Sequence, residues 1–315
     1  MKAFALMIVC LLAITSCNQV NDLQTVEPEP IPSKVIQRVK EQFPVAKDLV
    51  FRSLLEKQVW EVKFSSGMDK YVSMVDSLKM WQTFRYNPDS IPKQLTDLLN
   101  EGGFRGGKLS ENTEDIGFYT TPNRRNKAIY TFYGHDYVLD WLFVDARSVS
   151  LMFSPALYFV TSPKLRELPP KMQDFFNANP DLTYDQGDIY FLLNNEKLFD
   201  MQVSFDKDGQ RVIGRMLFDS DGDLKWISRA FNEPATPQDP SNVDEMPDAM
   251  RQYIESSPEL AEFYTLNMAA FKWRSEYKGF SSYYIQFSHK TVRQNCEMFF
   301  DKDGNLINKS YYFAL

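Results

Sequence analysis

The sequence predicts an α+β fold of tandem units, each with one N-terminal helix packed on a three- to four-stranded antiparallel β-meander. Three observations predict it. Four segments open with an apolar residue and a proline, then continue as an amphipathic stretch: IPSKVIQRVKEQFP from Ile31, IPKQLTDLL from Ile91, LPPKMQDFFNANP from Leu168 and MPDAMRQYIESSP from Met246. After each one the apolar period falls towards two, the spacing of a strand with one buried face. Corners of the type Asp-x-Asp-Gly then recur at FDKDG (205–209), FDSDGDL (218–224) and FDKDGNL (300–306).

One positive residue, Lys2, precedes an apolar run from Ala3 to Ile14, too short for a membrane span and fitting a signal peptide. Ile14-Thr15-Ser16-Cys17 has the form of a bacterial lipobox, so cleavage at 1–16 and a lipid on Cys17 are expected. Residues 17–30 are polar and Pro-containing, as in a flexible tether. Asn18-Gln19 favours the outer membrane as the address.

Units follow at 31–86, 91–162, 168–232 and 246–315, with a Pro-rich linker at 233–245. Proline suits the first turn of a helix, where no N–H is needed. Val35, Ile36 and Val39 in the first unit, and Met250, Tyr253 and Ile254 in the last, recur at helical spacing. Pro44, Pro180 and Pro258 end their helices by moving the preceding residue out of the α region. The second unit uses the glycines of EGGFRGG (101–107) instead, and this cluster lacks the Lys-Ser/Thr of a phosphate loop. Strand-like runs follow, such as WEVKF (60–64), YVSMV (71–75), FDMQVSF (199–205), SYYIQF (282–287) and NCEMFF (295–300).

The corners resemble calcium loops only in part. An EF-hand needs Gly at position 6 and Glu at 12. Counted from Asp219, those positions hold Leu224 and Ala230. A hairpin turn explains the residues better: Asp caps nearby N–H groups and Gly supplies the positive φ. VDSLK (75–79) reads as a shortened form. No metal and no cofactor are expected.

With leader, helix and meander in hand, the chain resembles the PepSY-like, beta-lactamase-inhibitor-protein-like (BLIP-like) domains of secreted proteins and lipoproteins of Bacteroidetes. The apolar-Pro helix start and the Asp-Gly corner carry the resemblance, best in 168–231 and 246–313. It implies an extracytoplasmic binding or inhibitory module with sheet face or loops as contact surface, and it carries over no catalytic residue.

The charge balance agrees with that expectation. A formal net charge of −7, one unit more negative once Lys2 leaves with the leader, lacks the basic footprint of a nucleic-acid binder. Of three cysteines, Cys10 and Cys17 belong to the leader, and Cys296 is expected as a small buried side chain. His135 and His289 lie in different units without metal-ligand spacing and are expected at strand ends on the surface. No nucleophile elbow or metalloprotease helix occurs, so no catalytic residue is assigned and an enzyme is not expected. The aromatic set Tyr130, Phe132, Tyr133, Tyr137 and Trp141 is the candidate binding surface. Three functions compete: a lipid-anchored binding module for a protein or peptide, a glycan-associated lipoprotein using those aromatics, and a purely structural envelope protein.

Overall fold

The computed structural model describes residues 30–87, 91, 93–101, 103–117, 124–145, 148–161, 168–231, 246–265 and 271–314. The leader, Cys17, the tether up to residue 29 and the linker 233–245 lie outside these residues.

Four α-helices are present among them: α1 (Ser33–Gln42), α2 (Lys93–Glu101), α3 (Pro170–Ala178) and α4 (Asp248–Ser256). Pro32, Pro169 and Pro247 stand immediately before α1, α3 and α4, and in α3 a second proline, Pro170, occupies the first helical position as expected. The carbonyls of Pro32, Pro169 and Pro247 accept the N–H of Val35, Met172 and Met250 at 2.9, 3.0 and 3.1 Å. The proline thus sets an extended φ/ψ at the helix boundary and supplies the first acceptor, without a side-chain cap. Each of these three helices buries one apolar stripe: Val35 and Val39, Met172 and Phe176, Met250 and Ile254. No helix of the described residues is long and apolar enough to cross a membrane.

The expectation of tandem α+β units is overturned. The described residues are 56% strand and 17% helix, and the strands do not form separate meanders. One antiparallel sheet holds twelve of them. Its first eight are β1 (Lys47–Leu55), β2 (Val59–Ser66), β3 (Asp69–Val75), β4 (Met80–Tyr86), β5 (Lys108–Asp115), β6 (Arg124–Phe132), β7 (His135–Asp145) and β8 (Ser148–Ser154). The last four are β14 (Phe271–Tyr277), β15 (Phe280–Ser288), β16 (Gln294–Phe300) and β17 (Leu306–Ala314), which continue from β8 in the order β17-β16-β15-β14. A second sheet holds β9 (Ala156–Thr161), β10 (Thr183–Leu192), β11 (Lys197–Lys207), β12 (Gln210–Phe218) and β13 (Leu224–Ile227).

Edge pairing explains the difference. A free-standing meander exposes two rows of unpaired N–H and C=O groups. Here β4 pairs with β5 through Phe84↔Asp115, Arg85↔Glu114 and Tyr86↔Thr113. In the same way β8 pairs with β17 through Leu151↔Phe313, Met152↔Tyr312 and Phe153↔Tyr311. β9 leaves the sheet of its sequence neighbours and pairs with β10, Val160 opposite Ile189 and Tyr158 opposite Phe191.

The cores are shared in the same way. Leu95, Leu98 and Leu99 of α2 and Met250 and Ile254 of α4 enter one core over the middle of the large sheet, with Leu139, Phe153, Ile285 and Met298. Another core joins α3 and the second sheet to Val59, Val72, Met74 and Phe84 of β2–β4. On the other side, Leu198, Leu217 and Trp226 pack on Tyr284 and Phe299 of the large sheet. The second sheet is therefore clasped by both ends of the first.

Candidate binding cleft

The Asp-Gly corners build one wall of the cleft. At Asp219 the carboxylate oxygen Oδ1 accepts the N–H of Asp221 and of Asp223, while the Asp219 carbonyl accepts that of Gly222 at 3.0 Å. Asp301 repeats the pattern with Asp303, Asn305 and Gly304. Asp76 caps a shorter version through the N–H groups of Leu78 and Lys79. FDKDG is a different turn: Lys207 pairs with Gln210, and Asp208 and Gly209 both take positive φ, the mark of a two-residue hairpin.

Asp219, Asp221 and Asp223 come close enough together to hold a cation. The oxygens of Asp219 and Asp223 are already engaged. Asp219 Oδ2 pairs with Lys225 at 2.9 Å, and both oxygens of Asp223 accept from Lys171 at 2.9 Å. Hydrogen bonding to Asp219 outweighs burial and raises the Lys225 ammonium above its ordinary value. Turn chemistry and two lysines account for Asp219 and Asp223.

Two cavities flank the β10–β11 turn. One, of about 290 Å³, opens between that turn, the Asp219 corner and the Asp301 corner, with Lys197, Lys225, Leu198 and Ile307 in its walls. The other, of about 360 Å³, lies between β1, β9 and the same turn, bounded by Arg52, Leu157, Tyr158 and Phe191. Glu196, Lys197 and Leu192 line both. Arg52 ties the two sheets together: its guanidinium donates to Asn195 Oδ1 on the turn and to Glu61 Oε2 at 2.9 Å on β2. The Tyr158 hydroxyl is hydrogen-bonded to the same Glu61, and burial, then this carboxylate, push it well up.

The aromatic surface is corrected. Tyr130, Phe132, Tyr137 and Trp141 are 2%, 5%, 4% and 5% exposed, and only Tyr133 is open to solvent, at 57%. Alternation along β6 and β7 turns the four inward, where Phe104 stacks on Phe153 with ring centres 3.9 Å apart and meets Phe132 at 5.4 Å. Tyr133 escapes because it occupies the β6–β7 turn with φ of 47°.

The histidines part company. His135 is exposed at the start of β7, but His289 is buried, against expectation. Its Nδ1 accepts the Thr291 N–H at 3.2 Å, which leaves Nε2 to donate to Glu262 at 3.2 Å. Cys296 is fully buried as expected, and burial raises its thiol far above the usual range.

Two buried lysines were not singled out by sequence reasoning. Lys309 on β17 pairs with Glu259 and donates to Tyr253 Oη at 2.8 Å. Burial works against its charge, yet the hydroxyls of Tyr137 and Tyr253 and the Glu259 carboxylate hold it raised. Lys127 on β6 donates to the Leu157 carbonyl at 3.0 Å. Neither had a sequence signal, because a lysine at an inward strand position reads as an outward one with the register shifted by one. Protein-family models and curated proteins compared with this chain give no match, so the likeness to PepSY-like and BLIP-like domains rests on the quoted motifs alone.

Proposed function

We propose that the chain is a non-enzymatic binding or inhibitory module that receives a loop or extended segment of a protein partner in the cleft around the β10–β11 turn. One observation supports this reading: cavities of about 290 and 360 Å³ flank that turn and draw their walls from both sheets. Each has room for one or two side chains, near the lower end of small-ligand pockets. Arg52, Lys197 and Lys225 beside Glu196, Asp221 and Asp301 offer charges of both signs, suited to selecting a polypeptide partner by electrostatic complementarity. A lipid on Cys17 would hold the module at the envelope membrane. The glycan reading loses its basis, since four of its five aromatics are core residues.

A photo-crosslinking residue in place of Asp221, in cells expressing the full chain, tests the reading. A discrete adduct is expected there, absent when the label replaces Lys93, whose side chain is 86% exposed on α2. Lys197→Glu should weaken it. Equal labelling at both positions would refute the cleft as contact surface. Replacement of Cys17 by Ala should release the protein from the membrane fraction.

A further inference from the structure

Lys127 is only 7% exposed, and among the described residues no carboxylate lies within ion-pair distance of its ammonium. The neighbouring carboxylates are committed to Arg125, which holds Asp140 through Nε at 2.7 and 2.9 Å and approaches Asp115 at 4.0 Å. Of the three N–H groups of Lys127, one is taken by the Leu157 carbonyl at 3.0 Å. The ring of Phe84 lies 5.2 Å away. The amine borders a cavity of about 60 Å³ of mixed lining, with Phe84, Val138 and Leu157 on one hand and Glu61, Lys63 and Glu111 on the other. That volume holds about two water-sized groups. Leu157 and Tyr158 also line the 360 Å³ cavity of the cleft.

We propose that Lys127 is a covalent capture site for small aldehydes, which condense with its amine inside this cavity. The nitrogen lone pair attacks the carbonyl carbon, and the carbonyl oxygen takes up a proton from the amine to give a carbinolamine. That hydroxyl then leaves with the second amine proton as water, and the carbon–nitrogen double bond forms. No oxidant or metal is required. Two features favour the reaction at this lysine. Burial lowers the ammonium from its ordinary value to about 8, so a neutral nucleophile is present near neutral pH. The cavity admits only small carbonyl compounds. The site is separate from the partner-binding reading and stands or falls without it.

The full chain is treated with acetaldehyde and cyanoborohydride at pH 7, and ethylated lysines are mapped by peptide mass. Lys127 should react at least about tenfold faster than exposed Lys93, since an amine at about 8 is neutral far more often than an ordinary lysine. Lys127→Arg, checked for an unchanged melt, should remove the fast adduct and no other. Trinitrobenzenesulfonate, too large for the cavity, should spare Lys127 while labelling Lys93. The proposal is overturned if Lys127 reacts no faster than Lys93, reacts only in urea, or is labelled preferentially by the bulky reagent as well.

Discussion

A methyl group on Gly304 would lie 2.8 Å from Cβ of Pro247, so the Asp-Gly corner and the proline that starts α4 touch each other in the fold. Gly222 stands in the same relation to Pro169, with a distance of 3.1 Å. The two most regular signals in the sequence are therefore two sides of one contact: the corner closing a sheet packs on the first turn of a helix.

Replacement of these glycines should rank by that contact. Gly209 has φ of 77° and open space around it, so Gly209→Ala should cost only the left-handed backbone, about 1–2 kcal/mol. Gly304→Ala adds a clash with Pro247 and with the Met250 backbone and should cost about 1–3 kcal/mol more. Gly222→Ala should fall between them. Urea denaturation of the three variants gives the order, and equal losses would show that the corner and the helix are not coupled.

Calcium should leave stability unchanged. Asp219 spends its oxygens on two backbone N–H groups and Lys225, and Asp223 spends both of its own on Lys171. Millimolar calcium should not move Tm, and Asp219→Ala should lower it equally with calcium or with chelator. A calcium-dependent rise in Tm would identify the corner as a metal site.

The Lys309–Glu259 pair should be costly to break and cheaper to remove. Both side chains are buried, at 6% and 3% exposure. Lys309→Met alone strands a buried carboxylate and should cost about 3–5 kcal/mol. Lys309→Met with Glu259→Leu should recover a large part of that loss. Chemical denaturation of the two singles and the double, read as a cycle, measures the coupling.

Lys127 should make stability depend on alkaline pH. Its folded-state value is lowered to about 8 by burial, so the unfolded chain binds more protons between about 8 and the ordinary lysine value of 10.5. Wild-type stability therefore rises with pH across that window, and below it the buried charge costs about 3 kcal/mol. Lys127→Met removes the charge but leaves the Leu157 carbonyl without its donor, an offset of about 1 kcal/mol. The variant should be more stable than wild type by about 2 kcal/mol at pH 7, with the gain lost by pH 10.5. A pH-independent difference would show that burial does not shift Lys127 from its unfolded-state value.

Short-range order was legible in the sequence because its causes are short-range. Pro32, Pro169 and Pro247 bound their helices by φ restriction, and Asp219 and Asp301 cap their own turns within four residues. Period two gives the inward set on strands such as β10, whereas β2, β3, β11 and β15 bury both faces because the two sheets pack on each other. Sites were less legible. Tyr130, Phe132, Tyr137 and Trp141 look the same in sequence whether they form a platform or a core, and Phe104 and Phe153, which decide the matter, are distant in the chain. Lys127 and Lys309 carry no local mark of burial, since their partners Leu157 and Glu259 lie on other elements.

The sequence by itself determined where helices start, where hairpins turn and which strand residues are apolar, all set by φ/ψ limits, capping and periodicity. Only the tertiary structure decided that β4 joins β5, that β8 joins β17 and that β9 changes sheet. Backbone edges carry no side-chain signature, so the choice of neighbour falls to long-range packing. That choice made one twelve-stranded sheet around a five-stranded one and opened the cleft between them.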